Sequence, residues 1–147
     1  MKILIALDAS AHSERALDFV TRMRWPAGSR MIVLSVVQPV ASALAAAYEP
    51  AALPPGLLEA QRQQAQQVVA HAEETLRQAG FATEGRIVEG DPRESVTQAA
   101  RDERADLVVV GSRGRSGVSK LMLGSVSSHV VTHAPCSVLV VKQTGER

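Results

Sequence analysis

The run Asp106-Leu-Val-Val-Val-Gly111 is apolar at four successive positions and ends on glycine. Such a run has no polar face to offer water, so it reads as a strand buried on both sides of a parallel sheet. Parallel neighbours need crossover connections, usually helices, and this one stretch therefore points to alternating α/β architecture. Ser112-Arg-Gly114-Arg-Ser-Gly117-Val-Ser-Lys120 follows, small, flexible and basic; Leu121-Met-Leu-Gly124-Ser125 then opens a helix, and Ser137-Val-Leu-Val-Val141 forms a closing strand. Glycines at the carboxyl end of a buried strand let the backbone approach a ligand closely. Ser125, at a helix start, adds a hydroxyl beside free N–H groups and the positive end of the dipole. The expected occupant is an anion, above all a phosphate chain. Neither the Walker pattern nor the three closely spaced glycines of a dinucleotide fingerprint is present, and a glycine-serine connector is the plain alternative.

The rest of the chain repeats the alternation. Ile3 to Leu7 reads as a first buried strand ending on Asp8, and Ser10 caps a helix to Arg24 whose inward face is Ala16, Leu17, Val20 and Met23. A carboxylate at the end of a central strand has few structural reasons to be there, so Asp8 is read as a ligand contact, with helix capping as its other reading. Met31 to Val37 is a second strand, and the alanine- and proline-rich stretch from Val40 to Gly56 is a long connection that carries no chemistry of its own. Leu57 to Ala79 is the longest helix, with Leu58, Ala65, Val69, Ala72 and Leu76 as its apolar stripe and its glutamines and charges as a wet face. Phe81 to Glu89 makes a weaker, partly polar strand suited to a sheet edge. Gly90-Asp91-Pro92-Arg-Glu94 is a helix start, with Asp91 as N-cap, Pro92 at the first position and Glu94 placed for a capping box; Val96, Ala99 and Ala100 face inward on a helix to about Arg104.

Composition narrows the function classes. With 147 residues, 46% hydrophobic but only 3% aromatic, the chain suits one compact domain over 1–147 with a core of Ala, Val, Leu and Ile. A net charge of +1 and few aromatics argue against nucleic acid and membrane partners. The start on a strand-like segment, with no signal peptide or membrane-spanning run, gives a cytoplasmic expectation. Cys136 is read as a small packing residue and His12 is given no role. His129 and His133 stand four apart on a helix, but no third ligand sits at a recognisable spacing, so no metal site is expected.

The spacing Gly111-x2-Gly114-x9-Gly124-Ser125 resembles the ATP-binding signature of the universal stress protein family. Asp-Leu-Val-Val-Val-Gly-Ser-Arg-Gly and Pro135-Cys-Ser-Val-Leu-Val-Val are similar to that family too. The resemblance implies an open, Rossmann-like parallel sheet of five strands in order 3-2-1-4-5, with helices on both faces. In that order the connections leave strands 1 and 4 in opposite directions and open a crevice at their carboxyl ends. The resemblance also puts Asp8 beside the ribose and the backbone of Val36 or Val37 at the adenine edge. Gly111 and Gly114 would wrap the inner phosphates, Gly124 would allow close approach, and Ser125, Val126 and Ser127 would hold the outer phosphates. Arg113, with Arg115 and Lys120, would neutralise charge. The cofactor implied is ATP, with Mg²⁺ carried on the phosphates. A histidine often stands in the family where this chain has Ser35. Members commonly dimerise by pairing the last strand, which implies a homodimer through Ser137 to Val141. Three readings follow: a regulatory ATP-binding protein whose loop from Ser112 to Leu123 responds to the nucleotide, a slow ATPase or phosphotransferase, and a nucleotide-free dimerisation module.

Overall fold

The computed structural model describes residues 1–39, 55–115 and 122–142. In chain order these form β1 (Lys2–Ala6), α1 (Ala11–Arg22), β2 (Arg30–Val37), α2 (Leu57–Gln78), β3 (Ala82–Glu89), α3 (Pro92–Asp102), β4 (Leu107–Gly111), α4 (Ser125–His133) and β5 (Ser137–Val141). The strands make one parallel sheet in the order β3-β2-β1-β4-β5, with β1 paired to β2 through Leu4↔Ile32 and to β4 through Leu4↔Val108. The fold is therefore the α/β, Rossmann-like arrangement that the sequence implied.

Alternation along the central strands explains the two-sided core. Ile3, Ile5, Met31, Val33 and Val109 point to one face, where Leu17 and Val20 of α1 and Val69, Ala72 and Leu76 of α2 cover them. Leu4, Ile32, Leu34, Val108 and Val110 point to the other, under Val96 and Ala100 of α3 and Val130 of α4. Most of these β1, β2 and β4 side chains are fully buried.

Several helix ends follow their local chemistry. Ser10 Oγ accepts the Ser13 amide at 3.3 Å at the head of α1. At the tail of α2, the Phe81 amide donates to Leu76 and the Gly80 amide to Arg77, a Schellman closure. The α3 cap is tighter still: the Asp91 carboxylate accepts the Arg93 amide at 2.8 Å and binds its guanidinium at 2.7 Å. The side-chain bond from Arg93 is the main reason that Asp91 titrates at about 2, well below its ordinary 3.8.

Three expected contacts differ. Met23 is 42% exposed because it follows α1 rather than riding on its inward face, and Leu58 is 37% exposed because the buried stripe of α2 runs through Ala65, Val69, Ala72 and Leu76 instead. Glu94 does not close a capping box; its carboxylate lies 3.3 Å from His129 Nε2 on α4.

Candidate functional site

The sheet opens where β1 and β4 end. Leu7 N–H still reaches Leu34 on the β2 side and Ser112 N–H reaches Val141 on the β5 side, so the two chains part at neighbouring strands. The crevice between them is where open α/β sheets hold ligands.

Asp8 stands at the tip of β1, half-buried. One carboxylate oxygen, Oδ1, accepts the Ser10 amide at 3.0 Å and the Ser13 hydroxyl at 2.7 Å, while Ser13 Oγ in turn accepts the Asp8 amide at 2.8 Å. Asp8 thus has a fixed rotamer without a cationic partner among the described residues. Its other oxygen faces Gly114: a Cβ there would lie 2.7 Å from Oδ2. Ser13, buried in the first turn of α1, was not singled out by sequence, although it follows Asp8 at the interval where a helix start returns to the strand end.

The loop glycines have distinct physical reasons. A Cβ on Gly111 would lie 2.8 Å from the His12 carbonyl oxygen, so this glycine admits the head of α1 against β4. One on Gly124 would lie 3.2 Å from Arg113 Cα. The Ser112 carbonyl accepts both Gly124 N–H at 2.8 Å and Ser127 Oγ at 2.9 Å, which ties the head of α4 to the end of β4. Ser127 Oγ also donates to the Gly124 carbonyl at 3.0 Å, so its hydroxyl is committed inside the fold and only its amide is left for a ligand.

No side chain caps α4, since its N-cap is Gly124. Ser128 N–H closes the first turn on the Gly124 carbonyl, and the amides of Ser125, Val126 and Ser127 lead the helix without intrahelical acceptors. The helix dipole adds roughly half a positive charge there.

On the far side, Val36 and Val37 part company. The Val37 carbonyl accepts Gly90 N–H at 3.0 Å and so faces β3. The Leu34 carbonyl faces β1, and by alternation the Val36 amide and carbonyl do too, beyond the point where β1 has ended. Val36 is therefore the residue with an open backbone edge.

These groups share one cavity of about 330 Å³, a size usual for small-molecule sites. All ten residues expected from sequence line it: Asp8, Val36, Val37, Gly111, Arg113, Gly114, Gly124, Ser125, Val126 and Ser127. Arg115 and Ser35 line it as well, whereas Lys120, the connection over 40–54 and part of the expected responsive loop lie outside the described residues. Gln61 of α2 also reaches the cavity, correcting its assignment to a wet face. It stands four residues before buried Ala65 on the inward stripe, a signal that was available. Elsewhere, the His129 and His133 rings stack at 4.1 Å, and burial is the main cause that raises the pKa of half-buried Cys136.

The fold and crevice define an α/β protein built like the doubly wound nucleotide-binding folds. The profile of the Universal stress protein family matches residues 1–142, and the chain belongs to that family. It is 36% identical over 141 residues to a universal stress protein of Thermus aquaticus from the QAH/OAS sulfhydrylase 3′ region, covering 95% of this chain and 97% of that one. The structure of MJ0577, a universal stress protein of Methanocaldococcus jannaschii, superposes with a TM-score of 0.83 at 27% identity, over 98% of this chain and 96% of that one. A universal stress protein solved in complex with cAMP shares the fold, with a TM-score of 0.70 at 24% identity over 96% of each chain.

Proposed function

We propose that this chain binds ATP in the crevice between β1 and β4 and acts as a nucleotide-dependent regulatory protein in a stress response. The observation that carries the reading is the pairing of unlike ends in one cavity. Asp8 offers a rigid, free carboxylate oxygen that suits a sugar hydroxyl and repels phosphate, while the uncapped α4 offers amides and a positive dipole that suit phosphate. A nucleotide has that polarity. Val36 supplies an adenine-reading edge, and Arg113 lies along the phosphate path. Mg²⁺ would travel on phosphate oxygens and water, as it usually does. The cAMP held by a protein of the same fold agrees in ligand class, but at that identity the likeness speaks for the fold alone.

The chain is further read as a single-domain homodimer in the cytoplasm. β5 is a sheet edge with half-buried Val138, Leu139 and Val140, the kind of strand that proteins cover by pairing. Among the described residues no helix is long and apolar enough to cross a membrane.

The test is to denature purified protein, identify released nucleotide by chromatography, and follow melting of stripped protein with ATP and Mg²⁺. ATP at a hundred times its Kd should stabilise by about 2.7 kcal/mol, or roughly 5–10 °C for a domain of this size. No adenine nucleotide in the extract and no shift at millimolar ATP would sink the reading. Light scattering tests the dimer separately, and a monomer at micromolar concentration would overturn it.

A further inference from the structure

We propose that Gln61 is a specificity-determining residue, the acceptor that makes this site select a 6-amino purine over a 6-oxo purine; this rests on the nucleotide reading above. Gln61 lies in the second turn of α2 and lines the same cavity as Val36, Val37 and Gln38. Its Oε1 is buried and accepts no hydrogen bond among the described residues. A buried carbonyl oxygen in that condition is costly, and native proteins rarely leave one unless something else fills it. Gln61 is also held in place. Its neighbour Arg62 bonds Glu89 through Nη2 at 2.6 Å and Nε at 2.7 Å, and Glu89 is the β3 partner of Val37. Ala65, one turn on, is packed in the core. The start of α2 is thereby clamped over the carboxyl end of β2.

Two residues of the cavity lining then carry three polar groups of known sense: the Val36 N–H as donor, and the Val36 carbonyl and Gln61 Oε1 as acceptors. Adenine presents the complement, a ring nitrogen acceptor and an amino group with two protons. Hypoxanthine and guanine reverse it, with a ring N–H and a 6-oxygen that would face two carbonyl oxygens. One amino proton satisfies the backbone, and the second satisfies Gln61.

ATP and ITP, which differ at the 6-position and share sugar and triphosphate, are titrated by calorimetry into stripped wild type, Gln61→Leu and Gln61→Glu. N6-methyl-ATP, with one amino proton removed, is titrated into wild type. Loss of this bond in Gln61→Leu should weaken ATP about tenfold and leave ITP unchanged or stronger, so that the ATP:ITP ratio narrows by at least that factor. Gln61→Glu, which keeps an acceptor, should retain the preference, and N6-methyl-ATP should bind wild type more weakly than ATP. If ATP binds wild type but Gln61→Leu weakens ATP and ITP equally, or neither, the assignment of Gln61 is overturned while the nucleotide site stands. If no nucleotide binds wild type, both fall.

Discussion

Two helices, α3 and α4, start at the carboxyl edge of the sheet and line the same cavity, yet they are finished in opposite ways. The head of α3 carries its own anion: Asp91 accepts the Arg93 amide and holds its guanidinium. The head of α4 carries none, because Gly124 has no side chain to turn back. Both heads carry orphan amides and a positive dipole end, although Pro92 removes one amide from the head of α3, so a helix start alone does not make the proposed phosphate site. On the proposed reading, the difference lies in leaving those groups unanswered from within the chain, beside a loop with no Cβ in the way.

The comparison can be broken by making α4 resemble α3. Gly124→Asp places a carboxylate at the N-cap, where it competes with phosphate for the same amides. ATP affinity should fall by about a hundredfold or more, a loss of roughly 2.7 kcal/mol, while the protein stays folded by circular dichroism. Gly124→Ala is its steric control. Its Cβ would meet Arg113 Cα at 3.2 Å, and the loop must give by a few tenths of an ångström, so a smaller loss is expected.

At the nucleoside end, the account predicts that side chains matter rather than amides. Asp8→Asn should weaken ATP by about tenfold, read by calorimetry, because the amide keeps the shape but loses a charged acceptor. A smaller effect follows for Ser13→Ala. It leaves Asp8 in place but removes the hydroxyl that donates at 2.7 Å to Oδ1 and accepts the Asp8 amide, so a few-fold loss of affinity is expected, about 1 kcal/mol.

The mildest change for binding is at α3. Asp91→Ala should cost about 1 kcal/mol of stability at pH 7, measured by urea unfolding, with ATP affinity unchanged. Its pH dependence has a definite sign. Asp91 is held at about 2 from an ordinary 3.8, so its contribution is complete above the higher value and fades as pH falls through the lower. The gap between wild type and variant should close over that window.

How much of this was legible in sequence depended on how local the cause was. The two covered faces followed from doubly apolar runs such as Leu107 to Val110, and the sheet order followed from the family resemblance. That Gly111, Gly114, Gly124 and Ser125 meet in one cavity was legible because they lie in one short stretch. Asp8 was singled out because a carboxylate at the end of a buried strand is costly without partners, and the structure places it in the cavity with Oδ1 held by Ser10 and Ser13. Ser13 was not read because its bond to Asp8 depends on how the turn between β1 and α1 closes. Gln61 was grouped with the other α2 glutamines, although its register with Ala65 and Val69 puts it on the inward stripe. Spacing also could not tell that Gly111 makes room for the His12 carbonyl, a packing demand between β4 and α1.

The central claim is that a nucleotide lies with its sugar at Asp8 and its phosphates at the head of α4, across Gly114. The most direct measurement is calorimetric titration of ATP and Mg²⁺ into stripped wild type and Gly114→Val, where a branched side chain would meet Asp8 Oδ2 at 2.7 Å from its Cβ. Saturable binding at one site per chain in wild type, lost in a folded Gly114→Val, is the predicted result. Equal heats in both proteins, or none in wild type, would contradict the account.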